Sequence, residues 1–117
     1  MRIYKKYYFD TAHFLPSENL DENYKNIHGH SYELIIYLDD KLDEKKEWVM
    51  DFKVIDNFVK PLIKELDHNL LNNIKGLENP TSENIAKWFW NRLKKNLLNL
   101  VRIDINRPRI GGCIYEP

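Results

Sequence analysis

Three histidines constrain this chain more than any other feature of it. His28 and His30 stand two residues apart with Gly29 between them. If that segment is extended, both imidazoles leave the same face of a strand, and the glycine gives another group room to approach. His13 follows directly on a run rich in β-branched and aromatic residues. A hairpin that pairs this run with a second one after His30 brings His13 beside the other two, so a fold that uses all three must contain that pairing. Three neutral nitrogen ligands with an open fourth position form the layout of a catalytic rather than a structural zinc ion. Spacing alone leaves another reading open, in which His28-Gly29-His30 is a surface turn and His13 an ordinary strand histidine.

Residues 2 to 10 and 31 to 38 both read as strands. Between them Ser17, Asn19, Asp21, Asn23 and Asn26 mark a long polar loop from Pro16 to Asn26. After a charged turn, Asp51 is placed to cap a helix on which Phe52, Ile55, Phe58, Val59, Leu62, Ile63 and Leu66 recur at helical spacing. Pro61 lies inside that pattern, so the helix is either kinked there or made of two pieces. A second helix is expected from Pro80-Thr81-Ser82-Glu83, with Ile85, Phe89, Leu93 and Leu97 on one side, widened by Ala86 and Trp90. Val101 to Ile105 and Cys113 to Tyr115 read as two short strands joined through Pro108, Gly111 and Gly112.

The order ββααββ predicts an α+β fold, an antiparallel four-stranded sheet with two helices on one face. A length of 117 residues with 43% hydrophobic residues is expected to make one domain, residues 1–117. The other sheet face needs a partner, and Tyr4, Tyr7, Tyr32 and Tyr37 are candidates for closing it against other subunits.

Lysine and arginine number 18 and aspartate and glutamate also 18, so no net charge points to nucleic acid or an anionic membrane as partner. The apolar runs are too short to span a bilayer, and the basic start from Met1 to Lys6 lacks the apolar stretch of a signal peptide. With Cys113 as the single cysteine, no internal disulfide forms, and the expected compartment is the reducing cytoplasm.

The fourth histidine follows Asp67 at the end of the first predicted helix. Neighbouring residues on a helix do not face each other, so Asp67 is expected to cap or orient something else while His68 acts as acid or base. Helix termination is the plainer role for the pair.

Taken in order, Phe9-Asp10-Thr11-Ala12-His13, His28-Gly29-His30-Ser31-Tyr32, Val49-Met50-Asp51-Phe52, Leu66-Asp67-His68-Asn69-Leu70-Leu71-Asn72, Pro80-Thr81-Ser82-Glu83-Asn84-Ile85-Ala86 and Gly112-Cys113-Ile114-Tyr115 resemble the 6-pyruvoyl-tetrahydropterin and 6-carboxy-tetrahydropterin synthase family over almost the whole chain. The resemblance implies the tunnelling fold, whose subunits join their sheets into a barrel, usually as hexamers of two trimers with sites between subunits. It implies zinc on His13, His28 and His30, proton transfer by Asp67 and His68, and a pterin ring held near Thr81 and Ser82. The implied substrate is 7,8-dihydroneopterin triphosphate, and the implied activity is that of a zinc-dependent lyase forming 6-carboxy- or 6-pyruvoyl-tetrahydropterin.

Two family features are missing. The family's base is a cysteine four or six residues before the first histidine of His-Gly-His, where this chain has Tyr24 and Glu22. Glu22 is the preferred substitute, since a partly desolvated carboxylate near a metal can act as a base; a phenol is the poorer one at neutral pH. Both also have a plain reading as loop residues. The family glutamate that pairs with the pterin amino group corresponds to Arg107, or with a one-residue shift to Asn106. Arginine only donates, so it suits a phosphate or carboxylate, and Glu116 or another acid must compensate or the ligand has changed. Beside the synthase reading stand two alternatives: a Glu22-based cleavage to 6-hydroxymethyl-dihydropterin for folate synthesis, and a metal-binding homologue that has lost the reaction and binds another ligand.

Overall fold

The computed structural model describes residues 1–117. Its strands are β1 (Arg2–His13), β2 (His28–Asp39), β3 (Leu100–Arg107) and β4 (Gly111–Tyr115), and its helices are α1 (Glu22–Lys25), α2 (Phe52–Leu66) and α3 (Ser82–Leu93). The four strands form one antiparallel sheet in the order β1-β2-β3-β4. The α+β expectation with two main helices therefore holds, and each expected strand is present and longer than the sequence signal. No helix is long and apolar enough to cross a membrane.

The alternation of side chains along a strand sorts the sheet into two faces. Tyr7 and Phe9 of β1 stand opposite Leu34 and Tyr32 of β2, and Leu34 and Ile36 stand opposite Ile105 and Ile103 of β3. These residues are all buried, together with Ile55, Val59 and Leu66 from α2 and Ile85, Ala86, Phe89 and Leu93 from α3. Phe9 stacks on Tyr32 with ring centroids 5.2 Å apart and meets Phe89 at 6.0 Å. Both helices thus cover one face, the one that also bears His13, His28 and His30.

That pairing corrects the expected set of open-face tyrosines. Tyr4 and Tyr37 do lie on the uncovered face, 5.7 Å apart, and Tyr8 joins them there. Tyr7 and Tyr32 belong to the core, because their strand positions have the parity of Phe9 and Leu34. The Tyr7 hydroxyl donates to Asp56 of α2 at 2.7 Å, and Lys5 is bonded to the same carboxylate. Burial and then Asp56 push the Tyr7 phenol well above its usual range. On the open face Asp104 is nearly buried, held by two bonds from Arg102 at 2.7 and 2.9 Å and by the Tyr37 hydroxyl at 2.9 Å.

The helix ends follow their caps. Asp51 accepts from the amide of Lys53 and Thr81 from that of Asn84, satisfying first-turn donors that a helix leaves unpaired. Of the two expectations for Pro61, the two-piece one is not met: α2 runs unbroken from Phe52 to Leu66 with Pro61 inside it. Pro61 has no N–H to donate to the Asn57 carbonyl, and both residues are on the exposed side, where that carbonyl is open to solvent. The stripe read on to Leu97 outlasts α3, which ends at Leu93; Leu97 is still buried, in the turn that follows. The polar loop before β2 contains α1, a single turn capped by Asp21.

Leu34 is fully buried between Tyr7 and Ile105 in the middle of the sheet. Leu34→Ala should lower unfolding stability by about 2–5 kcal/mol, read from urea denaturation; a loss below about 1 kcal/mol would show that this layer is not the centre of the core.

Candidate metal centre

His13 stands directly opposite His28 across the β1–β2 ladder, and His30 is one step further along the same face. Their ring centroids lie 4.6, 4.9 and 4.8 Å apart, and one nitrogen from each falls within 4.8 Å of the others. The hairpin required by the spacing has formed, and the surface-turn reading of His28-Gly29-His30 is set aside. The reason offered for Gly29 is not supported: a Cβ there would meet only the Thr11 carbonyl, at an ordinary 3.4 Å.

The hydrogen bonds around the rings test whether a cation fits. Nδ1 of His13 lies 2.9 Å from the Pro80 carbonyl, and Nδ1 of His28 lies 2.7 Å from the Asn26 carbonyl. A carbonyl only accepts, so each Nδ1 carries the proton and donates it. Both Nε2 atoms are then left with lone pairs, which face each other at 3.0 Å. As neutral imidazoles neither can donate to the other, so the contact suits a shared cation. Tetrahedral zinc with bonds of about 2.0–2.1 Å places its ligand nitrogens about 3.3 Å apart, close to the 3.0 Å between His13 and His28. Carbonyl partners that fix the outward nitrogen are the usual support of metal-binding imidazoles.

Electrostatics favour the neutral, ligating form. Burial lowers the pKa of His13 against the opposing effect of its Pro80 bond. Burial, and then the Arg107 guanidinium, bring His30 down to about 4. An imidazole kept unprotonated keeps its lone pair for a metal.

The rings stand at the wall of a cavity of about 570 Å³, whose other walls come from three places. Thr81, Ser82 and Glu83 enter from the start of α3, Tyr24 and Asn23 from α1, and Arg107 from the end of β3. The helix start is tied to the metal site because Pro80, next to the cap, receives the His13 bond. Asn72 pins the chain just after His13 by bonding both the amide and the carbonyl of Phe14, at 3.0 and 2.8 Å.

Other candidates fall elsewhere. Glu22 is on the outer side of α1, with its side chain 82% exposed and 3.9 Å from Lys25, and it does not line the cavity. Tyr24, two residues on, does. Asn106 points to the open face and donates to Glu33 at 3.2 Å, and Glu116 pairs with Arg2 at 3.5 Å. Neither reaches the cavity, whose one carboxylate is Glu83. In the sequence Glu83 stands only as the last residue of the expected helix start, Pro80-Thr81-Ser82-Glu83. Its adjacency to Thr81 and Ser82 was the available signal, because the first residues of a helix surround the same opening.

Asp67 and His68 lie along the free edge of β1, outside the cavity. The expectation that they do not face each other is corrected: His68 Nδ1 lies 2.9 Å from Asp67 Oδ2. Asp67 already has an extended backbone as the C-cap of α2, and His68 has φ of 59°, so helical geometry no longer separates the side chains. Asp67 also accepts from the Asp10 amide at 2.9 Å, while the His68 amide donates to the Asp10 carbonyl at 2.7 Å. The hydrogen bond and charge of Asp67 raise the pKa of His68.

Comparison with known proteins places these features. The family described as 6-pyruvoyl tetrahydropterin synthase matches residues 2–117. A dihydroneopterin monophosphate aldolase of Pyrococcus furiosus is 39% identical over 102 residues, 87% of this chain and 82% of that protein. A 6-carboxy-5,6,7,8-tetrahydropterin synthase of Synechocystis is 40% identical over 98 residues, 80% of this chain and 74% of that one. Among solved structures, the Caenorhabditis elegans 6-pyruvoyl tetrahydropterin synthase superposes with a TM-score of 0.89 over 100% of this chain and 95% of its own; at 23% identity this speaks to the fold.

Two measurements test the site. Protein loaded with zinc and dialysed should retain a single ion per chain by metal analysis, and His28→Ala should retain none; equal retention would remove the histidines from metal binding. In NMR titration, Asp67→Asn should move the His68 midpoint downward, and an unmoved midpoint would show that the carboxylate does not hold the ring.

Proposed function

The chain belongs to the 6-pyruvoyl tetrahydropterin synthase family, whose members matched here are pterin lyases, and from that premise we propose that it is a zinc enzyme cleaving the side chain of a 7,8-dihydroneopterin to 6-hydroxymethyl-dihydropterin. The observation that carries this reading is the lack of a thiol in the cavity. Cys113, the one cysteine, sits on β4 and lines only an adjoining hollow, and burial raises its pKa. A synthase of the usual type needs a cysteine base there; a cleavage reaction does not. The name of the Pyrococcus relative agrees with such a cleavage.

His13, His28 and His30 would hold the ion, which supplies Lewis acidity to the side-chain oxygens. Cleavage removes a proton from the hydroxyl of the second side-chain carbon, which departs as an aldehyde. The electrons of the broken carbon–carbon bond pass to the first carbon, in conjugation with the ring imine, and that carbon then takes up a proton. Tyr24 is the residue of this cavity offered for the first proton, in place of Glu22, whose side chain is turned to solvent. His68, held protonated to higher pH by Asp67, suits the second transfer. Because that pair lies outside its own cavity, it would serve the cavity of a neighbouring copy, in the hexamer of two trimers that the family resemblance implies. Thr81 and Ser82 flank the pterin ring, Glu83 accepts from the ring's amino group and N–H, and Arg107 closes the β3 side.

A second reading, formation of 6-carboxy-tetrahydropterin from 7,8-dihydroneopterin triphosphate, is favoured by the Synechocystis relative. Incubation of zinc-loaded protein with dihydroneopterin monophosphate and triphosphate separates the two by product mass. Hydroxymethyl-dihydropterin with glycolaldehyde phosphate supports cleavage, carboxy-pterin the second reading, and no turnover by metal-replete protein sinks both. Tyr24→Phe should lose about 10²–10⁴-fold in turnover with its metal retained, while Glu22→Gln should not change; the reverse pattern would return the base to Glu22.

A further inference from the structure

Arg107 ends β3 with its side chain on the face of the histidines, and its Nη1 lies 3.2 Å from Nε2 of His30. Arg2 and Arg102 are paired with Asp39 and Asp104, and Arg92 is stacked on Trp88, but the Arg107 guanidinium forms no ion pair. Glu83 lines the same cavity and the hollow beside it without closing on Arg107.

This arrangement is incomplete in charge. Three neutral imidazoles do nothing to offset a divalent cation, and a guanidinium against one of them adds a further positive charge at short range. An anion placed between the two relieves the repulsion. The planar fork of arginine matches two oxygens of a phosphate, and pairs of that kind are charge-assisted on both sides. With the side-chain hydroxyls of a pterin triol turned toward the histidines, a phosphate on the terminal carbon comes one bond beyond them, in the cavity whose wall includes Arg107.

We propose that Arg107 is the specificity residue for a phosphomonoester at the end of the pterin side chain, so that the site takes the phosphorylated triol in preference to the bare one. The inference rests on the pterin reading above and adds to it what the arginine recognises. It also bears on the replacement of the family glutamate: an arginine cannot accept from the ring, and Glu83, the one carboxylate of the cavity, is the residue left to do so.

Calorimetric titration of zinc-loaded protein with dihydroneopterin and with its monophosphate tests this without turnover. The native chain should bind the monophosphate about tenfold to a hundredfold tighter, the worth of a charged hydrogen-bonded pair. Arg107→Gln should lose that preference and keep its affinity for the bare triol, and Arg107→Lys should keep part of it, as a point charge without the fork. Inorganic phosphate should compete with the monophosphate in the native chain and not in Arg107→Gln. If Arg107→Gln does not fold with full metal content, phosphate competition in the native chain decides: displacement of the monophosphate alone supports the proposal, and equal displacement of both ligands or of neither overturns it. Binding of both pterins with equal affinity by the native chain overturns this inference alone. Binding of neither pterin overturns the pterin reading and this inference with it.

Discussion

The bond from His13 to the Pro80 carbonyl joins the two halves of the site. It comes from a strand end and reaches the residue before the cap of α3, so it fixes the sheet relative to the helix at the point where the cavity opens. It also fixes a proton. With Nδ1 committed to the carbonyl, Nε2 must face inward unprotonated, and the same logic applied to His28 and Asn26 sets two lone pairs against each other. A local preference for one tautomer thereby becomes a demand for a cation. Thr81, Ser82 and Glu83 line the cavity because the helix that carries them starts where this bond holds it.

The period-two pattern of the strands and the caps at Asp51 and Thr81 were legible because each is a local matter: a side chain and the few residues beside it. The three histidines were legible for a similar reason, since a hairpin converts sequence spacing into spatial neighbourhood. What was not legible depended on rotation about an axis that the sequence does not state. Glu22 and Tyr24 are two residues apart on a single helical turn, and only the docking of that turn decides which one faces the histidines. Tyr4 and Tyr7 are an odd number of residues apart, as are Tyr32 and Tyr37, so one of each pair must face away from the other; which of them meets the helices is decided by the face that α2 and α3 cover. The Asp67–His68 bond depends on a left-handed residue just past the helix end, a position most often filled by glycine or asparagine, so a histidine there is a weak signal in the sequence.

Charge is distributed unevenly over the two faces of the sheet. On the open face Asp104, Arg102 and Tyr37 satisfy one another, and Glu33 is met by Asn106 and Lys6. On the metal face Arg107 and Glu83 share a cavity without pairing. Charges matched internally serve the fold, whereas those left unmatched at a cavity wall are available to a ligand. The contrast between two arginines of one strand, Arg102 and Arg107, comes from the opposite faces on which they stand and the neighbours each finds there, since the residue type is the same.

The edge of β1 has a further consequence for what the sheet can join. Asp10 gives its amide to Asp67 and its carbonyl to the His68 amide, and Ala12 gives its amide to Asn69. These are the outward-facing backbone groups of the strand, so residues 67 to 69 block the last third of that edge as effectively as a paired strand would. The groups of matching parity at Arg2, Tyr4, Lys6 and Tyr8 are left open by that segment. On this edge a strand from outside can therefore dock only along the beginning of β1, and its register is bounded at one end by the very turn that presents His68.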